Sequence, residues 1–235
     1  MNTNIDTTFD FQTDIPLGKD PDAFSPTLRR YHKVLWSKPL PCGIVFKLVD
    51  TTPKVYLHHQ SEVGEFYISS DSAINSFRHE KKIKHIIDQI PIIELVEFRN
   101  ISFTIGGMIV FPGNRIDNKI TINGARGFHP LIKDRFDLTV ECIRRHYLGK
   151  NSPLSETLSR YKTFFNLFES FRGYVEFFLL QDLVSVDFCS VKFFLPFDDF
   201  KKSPMPSTLE SYKNYKQSAI EFIEARNHRI LDACC

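Results

Sequence analysis

The fold class depends on the stretch VYLHHQSEVGEFYISS, residues 55–70. It contains two short runs of β-branched and aromatic residues, Val55–His58 and Glu65–Ser69, which are typical of strands. Runs of the same kind lie before it, at Gly43–Val49, and after it, at Thr104–Phe111. Because turn-forming residues separate these runs, the region predicts a small, largely antiparallel sheet.

Two more strands are predicted farther along the chain. Lys119–Ile122 is expected to form a hairpin with Thr104–Phe111 across the turn Pro112-Gly113-Asn114. Val186–Leu195 has the composition of a strand, while residues 173–184 are compatible with either a helix or a strand.

Helical patterns occupy most of the remaining chain. Ser25-Pro26 predicts the N-cap and the first residue of a helix over 26–37, and a helical region over 76–99 is broken near Pro91. Capping residues or an early proline predict three further helix starts: Asp134 with Asp137, Ser152-Pro153, and Ser207 with Glu210.

Together these elements predict an α+β fold. A small, mostly antiparallel sheet from roughly 43–122 and 186–195 is expected to pack against several helices, most of them from the second half. We expect residues 1–20 to form an extended N-terminal arm. Residues 21–235 are expected to form a single domain, because no change in composition divides them.

The composition restricts the function classes. The formal net charge is only +2, so no global field attracts nucleic acid or an anionic membrane surface. No apolar stretch reaches the roughly 18 residues that spanning a bilayer requires, which predicts no membrane partner. The 5 cysteines are odd in number and lack metal-binding spacing, which predicts free thiols, no metal site and a cytoplasmic location.

Common catalytic signatures are missing from the sequence. It has no G-x-x-x-x-G-K-[ST] phosphate loop, no G-x-G-x-x-G turn, no H-E-x-x-H and no G-x-S-x-G. These absences argue against the common nucleotide-hydrolysing, dinucleotide-binding, zincin and α/β-hydrolase enzymes. They leave room for an enzyme whose site assembles from scattered positions.

Several long segments resemble one protein family. They are DPDAFSPTLRRYHKVLWSKPLP (20–41), YLHHQSEVGEFYISSDS (56–72), TIGGMIVFPGNRI (104–116), TINGARGFHPLIKDRFDLTVECIRRHYLG (121–149) and FRGYVEFFLLQDLV (171–184). The chain is similar over most of its length to a family of uncharacterised bacterial proteins, a domain of unknown function. The resemblance implies a bacterial, cytosolic protein and brings no activity or cofactor with it.

The leading candidate for a binding site is a turn rich in glycine and arginine. Gly124 and Gly127 flank Arg126, and glycines let the backbone adopt positive φ and approach a ligand closely. The guanidinium of Arg126 is planar and permanently charged, which suits phosphates and carboxylates. We therefore predict an anionic ligand, a nucleotide or nucleic acid. Its predicted contacts are Asn123, Gly124, Arg126, Gly127, Arg135, Arg144 and Arg145.

Ion pairing within the chain is the alternative for the same residues. Asn-Gly is a common turn pair, and Arg126 has the acids Asp134 and Asp137 nearby in sequence. Glu141 and Arg145 have the i,i+4 spacing of an ordinary helical ion pair.

A second candidate site lies at a histidine-containing strand end. His58 and His59 are near Glu65 and Asp71 in sequence, and histidine beside carboxylates is typical of general acid–base catalysis. Adjacent residues on a strand point to opposite faces, so at most one of the two histidines enters a shared site. The alternative is a polar strand end and a loop whose Ser and Asp residues cap the next helix.

The sequence therefore leaves three function classes open. The first is binding of a nucleotide or nucleic acid, and the second is an enzyme that acts on a phosphorylated substrate with the His/acid pair. The third is a protein-interaction module without catalysis. It requires an exposed apolar patch, for which the candidates are Leu35-Trp36, the Phe-rich helices and the apolar segment 173–184.

Overall fold

A computed structural model describes residues 4–51 and 56–234, and it confirms the α+β class. Within these residues one antiparallel sheet has the strand order β1-β2-β3-β4. The strands are β1 (Val49–Asp50), β2 (Leu57–Ser61), β3 (Gly64–Ser72) and β4 (Met108–Pro112). Hence residues 57–70 of that stretch form the central hairpin, in which His59 lies opposite Phe66. Val55, predicted to start the first of these strands, is outside the described residues.

The helices, which fill most of the second half, were largely predicted. They are α1 (Pro21–Phe24), α2 (Pro26–Trp36), α3 (Lys84–Ile87), α4 (Ile92–Ser102), α5 (Ile122–Phe128), α6 (Phe136–Tyr147), α7 (Ser155–Arg160), α8 (Lys162–Asn166), α9 (Phe171–Phe177) and α10 (Leu209–Cys234). Three short 3₁₀ turns span Lys81–Ile83, Ile105–Gly107 and Gln181–Leu183. The ambiguous residues 173–184 therefore begin in a helix and end in a 3₁₀ turn.

Helix α2 shows how a local signal fixes an element. The Ser25 hydroxyl accepts the backbone N–H of Leu28 at 3.0 Å, and Pro26 occupies the first helical position, as predicted. Leu28, Tyr31 and Leu35 then bury one face of the helix. The expected break of residues 76–99 at a proline is also confirmed, since α4 begins directly after Pro91.

Two of the predicted strands do not form. Lys119–Ile122 does not pair as a hairpin, because the Thr121 hydroxyl accepts the Gly124 N–H at 3.3 Å and starts α5 instead. Val186–Leu195 contributes only an isolated bridge between Val184 and Val191. The predicted run Gly43–Val49 is largely irregular, and only its last residue enters β1.

Three helix starts differ in detail from the prediction. Asp134 does not cap α6, which follows Arg135, because the backbone of Asp134 is left-handed with φ 60°. At α10 the reciprocal hydrogen bonds join Thr208 and Ser211, at 2.9 and 3.0 Å, instead of Ser207 and Glu210. The predicted helix after Ser152-Pro153 begins only at Ser155, with α7.

The hydrophobic core lies between the sheet and the helices of the second half. Phe168, Phe177 and Phe178 have ring centroids 4.9–5.1 Å apart, so the phenylalanine content is used for packing. Residues 4–20, expected as an extended arm, form turns in which Ile5 and Phe11 are buried.

The elements that matter most for the site meet at one end of β3. Helix α1 packs on β3, and α5 packs on the neighbouring β4. The C-terminal end of β3, from Ser69 to Ser72, therefore lies between α1 and α5. Tyr56 adds its ring to this region, packed close to Gly113, where a Cβ atom would approach the ring to 2.7 Å.

Candidate carboxyl-lined site

The segment predicted as a Gly/Arg turn is helical. Asn123, Gly124, Arg126 and Gly127 all lie in α5, and neither glycine has a positive φ. The expectation that these glycines permit a left-handed turn was wrong, because Thr121 caps the segment as a helix. The segment nevertheless lies beside a cleft, as shown below.

Arg126 is buried inside the protein, with 0% of its surface exposed. Its Nη1 contacts the carboxylates of Asp71 at 2.6 Å and Asp134 at 3.2 Å, and it also donates to the carbonyl of Ser72 at 3.1 Å. Its Nη2 donates to the carbonyl of Asp134 at 3.0 Å. The alternative of an ion pair with Asp134 is therefore what the structure contains, and Asp71 is an additional partner.

The other three predicted arginines are also paired, each with a carboxylate other than those that hold Arg126. Arg135 is buried and forms an ion pair with Asp137, whose carboxylate also accepts the backbone N–H of Phe194. Arg144 and Arg145 both hold Glu141, each at 2.7 Å. The structure thus directs each guanidinium to a carboxylate of the same chain.

His58 and His59 point to opposite faces of β2, as the strand geometry predicted. His59 is buried and bonds the carbonyl of Lys47 at 3.0 Å. His58 contacts Glu65 at 2.8 Å on the outer face. Asp71 lies six residues beyond Glu65 in β3. At roughly 3.3 Å per residue, the two backbone positions are about 20 Å apart. Hence His58 pairs with Glu65, and Asp71 belongs to a different site.

That site is a cleft of about 580 Å³ between α1, the end of β3 and α5. We call it the carboxyl cleft after the four aspartates that line it. Its lining residues are Asp20, Asp22, Ala23, Tyr56, Ser69, Ser70, Asp71, Asn123, Gly124, Gly127, Phe128 and Asp134. The cleft therefore joins predicted residues from both candidate sites, namely Asp71 with Asn123, Gly124 and Gly127.

Gly127 and the left-handed backbone place Asp134 in this cleft. A Cβ atom on Gly127 would lie 3.3 Å from both carboxylate oxygens of Asp134, so the glycine leaves room for that carboxylate. The backbone N–H of Asp134 donates to the carbonyl of Arg126 at 3.0 Å. Gly127 thus permits a close approach to the backbone, as the glycine pattern predicted. The group that approaches is the carboxylate of Asp134 and not a ligand.

The environment of the cleft disfavours ionised carboxyls. Burial raises the pKa of Asp71 to about 6, although the charge of Arg126 opposes the rise, and nearby Asp134 adds to it. Burial also raises the pKa of Asp22 well above its ordinary value, and the charges of Asp71 and Asp20 raise it further. The negative charge of Asp71 thus makes ionisation of Asp22 less favourable.

Two buried oxygen atoms of the cleft have no hydrogen-bond donor within the described residues. They are Oδ1 of Asp22 and Oδ1 of Asn123. The orientation of the Asn123 amide is fixed, because its Nδ2 donates to the Ser69 hydroxyl at 3.1 Å and to the Ser70 carbonyl at 3.3 Å. Buried acceptors without a hydrogen-bond partner are uncommon and reduce the stability of a protein. Both oxygens can therefore accept a hydrogen bond from a bound ligand.

A hydrogen-bonded chain behind the cleft controls the chemistry of Ser70. Trp36 Nε1, which can only donate, lies 3.0 Å from His32 Nδ1, so the His32 proton must be on Nε2. His32 Nε2 therefore donates to the Ser70 hydroxyl, 3.0 Å away. Burial and the charge of Arg226 lower the pKa of His32 to about 3, which keeps the ring neutral.

This polarity excludes Ser70 as a serine nucleophile activated by His32. Activation requires the imidazole to accept the serine proton, whereas here Nε2 already carries a proton. The Ser70 hydroxyl instead forms a hydrogen bond with Asp22 that lowers the pKa of that carboxyl. The groups left for acid–base chemistry are consequently the carboxyls of Asp22 and Asp71.

Only part of this site had a signal in the sequence. Asp71 was predicted because of its nearby histidines and Asn123 because of its neighbouring glycines, whereas Asp20 and Asp22 lie in no motif that indicates a site. Trp36, a candidate for an exposed partner surface, is 1% exposed and packs on Phe178 with ring centroids 5.3 Å apart. Within residues 4–51 and 56–234, no group of three or more His, Cys, Asp or Glu residues is arranged to hold a metal ion.

Comparisons with known proteins give the family and no activity. A sequence model described as "Family of unknown function (DUF6994)" matches residues 5–230, which confirms the expected resemblance to a family without an assigned activity. No curated protein and no solved structure matches the chain significantly. The helices among the described residues are too short or too polar for any of them to cross a bilayer.

Proposed function

Because the chain belongs to this family of unknown function, we propose its role from the site itself: the carboxyl cleft binds a small organic cation with N–H donors, such as an amine or a guanidine. The observation that carries the proposal is the excess of acceptors. Asp22 Oδ1 and Asn123 Oδ1 are buried with no donor among the described residues, beside carboxyls that repel one another. An ammonium or guanidinium group supplies both donors and positive charge.

The charge of the lining supports a cation over an anion. Among the described residues, no lysine or arginine side chain lines the cleft, and Arg126 beneath it is saturated by its own partners. A nucleotide or nucleic acid, expected at these residues from the sequence, would meet four aspartates there. The cytoplasmic location and the protein partner considered from the sequence remain predictions.

The aromatic residues of the rim fit the same ligand class. Phe128 is 81% exposed and Tyr56 is 37% exposed, and both line the cleft. An aromatic face attracts a cation through its quadrupole, with about 0.5–1 kcal/mol at exposed sites. The exposed rings of Phe128 and Tyr56 can therefore contact a cation that the aspartates of the cleft hold.

A second candidate function is acid–base catalysis on the bound molecule. Asp22 and Asp71 experience different environments, since Asp71 contacts Arg126 directly, whereas Asp22 has the hydroxyl of Ser70 and only the more distant charge of Arg126 to lower its pKa among the described residues. Pairs of carboxyls that are held at different pKa values commonly divide the roles of acid and base. Asp22 would then be the proton donor and Asp71 the acceptor.

A thermal-shift titration of the full chain tests cation binding. We expect 1,4-diaminobutane to stabilise the protein at pH 7, whereas sodium chloride of equal ionic strength does not. Binding at a hundredfold excess over Kd corresponds to about 2.7 kcal/mol. The variant Asp22→Asn should lose most of this stabilisation, and Asp88→Asn, a surface carboxyl paired with Lys84, should keep it.

Calorimetry supplies an independent readout of the same event. A bound cation favours the ionised carboxyls and lowers their pKa values, so binding near pH 6 should release protons, seen as a dependence of the heat on buffer ionisation enthalpy. Absence of stabilisation by the diamine, or stabilisation that Asp22→Asn leaves unchanged, would show that the cleft is not a cation site.

A further inference from the structure

A second cleft adjoins the first and has the opposite charge. It has a volume of about 470 Å³ and shares Asp134 with the carboxyl cleft. Its lining residues are Ser72, Ile74, Asn75, Ser76, Arg78, His79, Arg99, Ser102, Phe103 and Asp134. We call it the arginine cleft after Arg78 and Arg99. Ser72 follows Asp71 directly in β3, so the two clefts meet at the end of this strand.

Arg78 and Arg99 differ from the arginines discussed above. Within residues 4–51 and 56–234, neither forms an ion pair or donates a hydrogen bond, whereas Arg126, Arg135 and Arg144 each hold a carboxylate. Two guanidinium groups without partners line one cleft and carry ten N–H donors that suit a carboxylate or phosphate.

The loop that carries Arg78 is rigidly held. Phe77 is 1% exposed and has a left-handed backbone with φ 56°, an unfavourable conformation for a bulky residue unless the surroundings impose it. Asn75 accepts the Phe77 N–H at 2.8 Å and donates to the carbonyl of Lys133 at 2.9 Å. Lys133 directly precedes Asp134, so this bond ties the Arg78 loop to the shared aspartate.

Two buried tyrosines fix the same loop from the helix below. Tyr215 donates its hydroxyl to the carbonyl of Asn75 at 2.7 Å, and Tyr212 donates to the carbonyl of Ser76 at 3.0 Å. Both tyrosines are on α10 and have 0% of their surface exposed. These four hydrogen bonds fix the backbone next to Arg78, whose exposed side chain has no partner among the described residues.

We propose that the arginine cleft binds the carboxylate or phosphate of the same molecule whose cationic group occupies the carboxyl cleft. The ligand is then a small zwitterion that spans Asp134. This inference rests on the proposed function for its cationic half. The anionic half rests on Arg78 and Arg99 alone.

Binding measurements with four probes separate the two halves. The probes are 1,4-diaminobutane, inorganic phosphate, 4-aminobutanoate and O-phosphoethanolamine, each titrated by calorimetry into the full chain. We expect at least one zwitterion to bind about tenfold or more tightly than either the diamine or phosphate alone, because both clefts then contribute.

The double variant Arg78→Gln/Arg99→Gln should change the affinities for the zwitterion and for the diamine in opposite directions. It should weaken zwitterion binding by about ten- to hundredfold, the range expected for lost hydrogen bonds to a charged group. It should tighten diamine binding, because two neighbouring positive charges are removed. The matched control is Lys81→Gln/Lys82→Gln, which removes two exposed charges from the adjacent 3₁₀ turn and should change neither affinity.

The outcomes distinguish the failure of each idea. If the diamine does not bind, the proposed cation site fails, whatever phosphate does. If the diamine binds but no zwitterion binds more tightly, or if the arginine variant leaves zwitterion binding unchanged, the shared ligand is refuted. Phosphate binding that needs the arginines but shows no coupling to Asp22→Asn would reduce the arginine cleft to an independent anion site and also refute the inference.

Discussion

Ionised Asp71 should destabilise the folded protein, even though it contacts Arg126. Its pKa is raised from the ordinary 3.8 to about 6, chiefly by burial. One pKa unit corresponds to 1.36 kcal/mol, so a difference of about 2 units amounts to about 3 kcal/mol. The 2.6 Å contact with Arg126 thus offsets only part of the desolvation of the carboxylate.

The sign of the pH dependence follows from which state binds the proton more tightly. Below about pH 4, Asp71 is protonated in both the folded and the unfolded chain. Between about pH 4 and pH 6 the unfolded chain loses this proton while the folded chain keeps it, so the free energy of unfolding falls as pH rises. Above about pH 6 the whole contribution of about 3 kcal/mol is lost.

The substitution Asp71→Asn removes this titration and keeps an oxygen that can accept from Arg126. We expect the stability of the variant, relative to the natural chain, to rise by about 3 kcal/mol between pH 4 and pH 7. Urea unfolding can be followed by the fluorescence of Trp36, the single tryptophan, which is 1% exposed. The constant cost of altering the hydrogen bonds cancels, because only the change with pH is compared.

The control for this experiment is Asp88→Asn. Asp88 is a surface carboxyl that pairs with Lys84 one turn earlier, and such exposed pairs contribute only tenths of a kcal/mol. Its difference curve should therefore stay nearly flat across the same pH range. A flat curve for Asp71→Asn, or one that falls as pH rises, would mean that the attraction to Arg126 outweighs burial and would refute the reasoning.

Three further predictions concern the core and the thiols. Arg226→Met should lower the free energy of unfolding by about 3–5 kcal/mol in urea, because three buried carbonyls would lose their donor at about 1–3 kcal/mol each, and a loss below 1 kcal/mol would contradict this. Those carbonyls belong to Gly106, Met108 and Phe178. Gly106→Ala should cost about 1–3 kcal/mol in the same assay, since its Cβ would approach the carbonyl oxygen of Ile223 to 2.4 Å; unchanged stability would contradict that crowding. Iodoacetamide at pH 8 should alkylate exposed Cys42 but spare Cys142, whose pKa burial raises to about 12, and peptide mass mapping of equal labelling would count against its burial.

The elements that the sequence predicts well are those whose signals are local. Ser25-Pro26 fixes the start of α2 through one side-chain bond and one restricted φ, and both act within four residues. The hairpin of β2 and β3 is likewise a short-range pairing, with Ser61 opposite Gly64. Residues 119–122 were misassigned because a strand-like composition competed with a single cap at Thr121, and the cap prevailed.

Arg126 shows why charge pattern alone misleads about a binding site. From the sequence, a guanidinium between two glycines is equally suited to a ligand or to a partner in the chain. The deciding contact is with Asp71, 55 residues away, and no local pattern announces it. Arg78 and Arg99, which line the arginine cleft without an ion pair among the described residues, belong to the region 76–99, which the sequence predicted only as helical.

The carboxyl cleft could not be predicted because its aspartates have an ordinary local role. Asp20 caps α1, and Asp134 precedes a helix, so each is explained without any site. Their convergence on Asp71 requires α1 to pack on β3 and Gly127 to admit the Asp134 carboxylate. A glycine inside a helix costs about 1 kcal/mol relative to alanine, so its presence in α5 indicates that something must come close. The Asp134 carboxylate admitted in this way raises the pKa of Asp71, so ionisation of Asp71 costs further stability. The positive charge of the proposed ligand would offset this electrostatic cost.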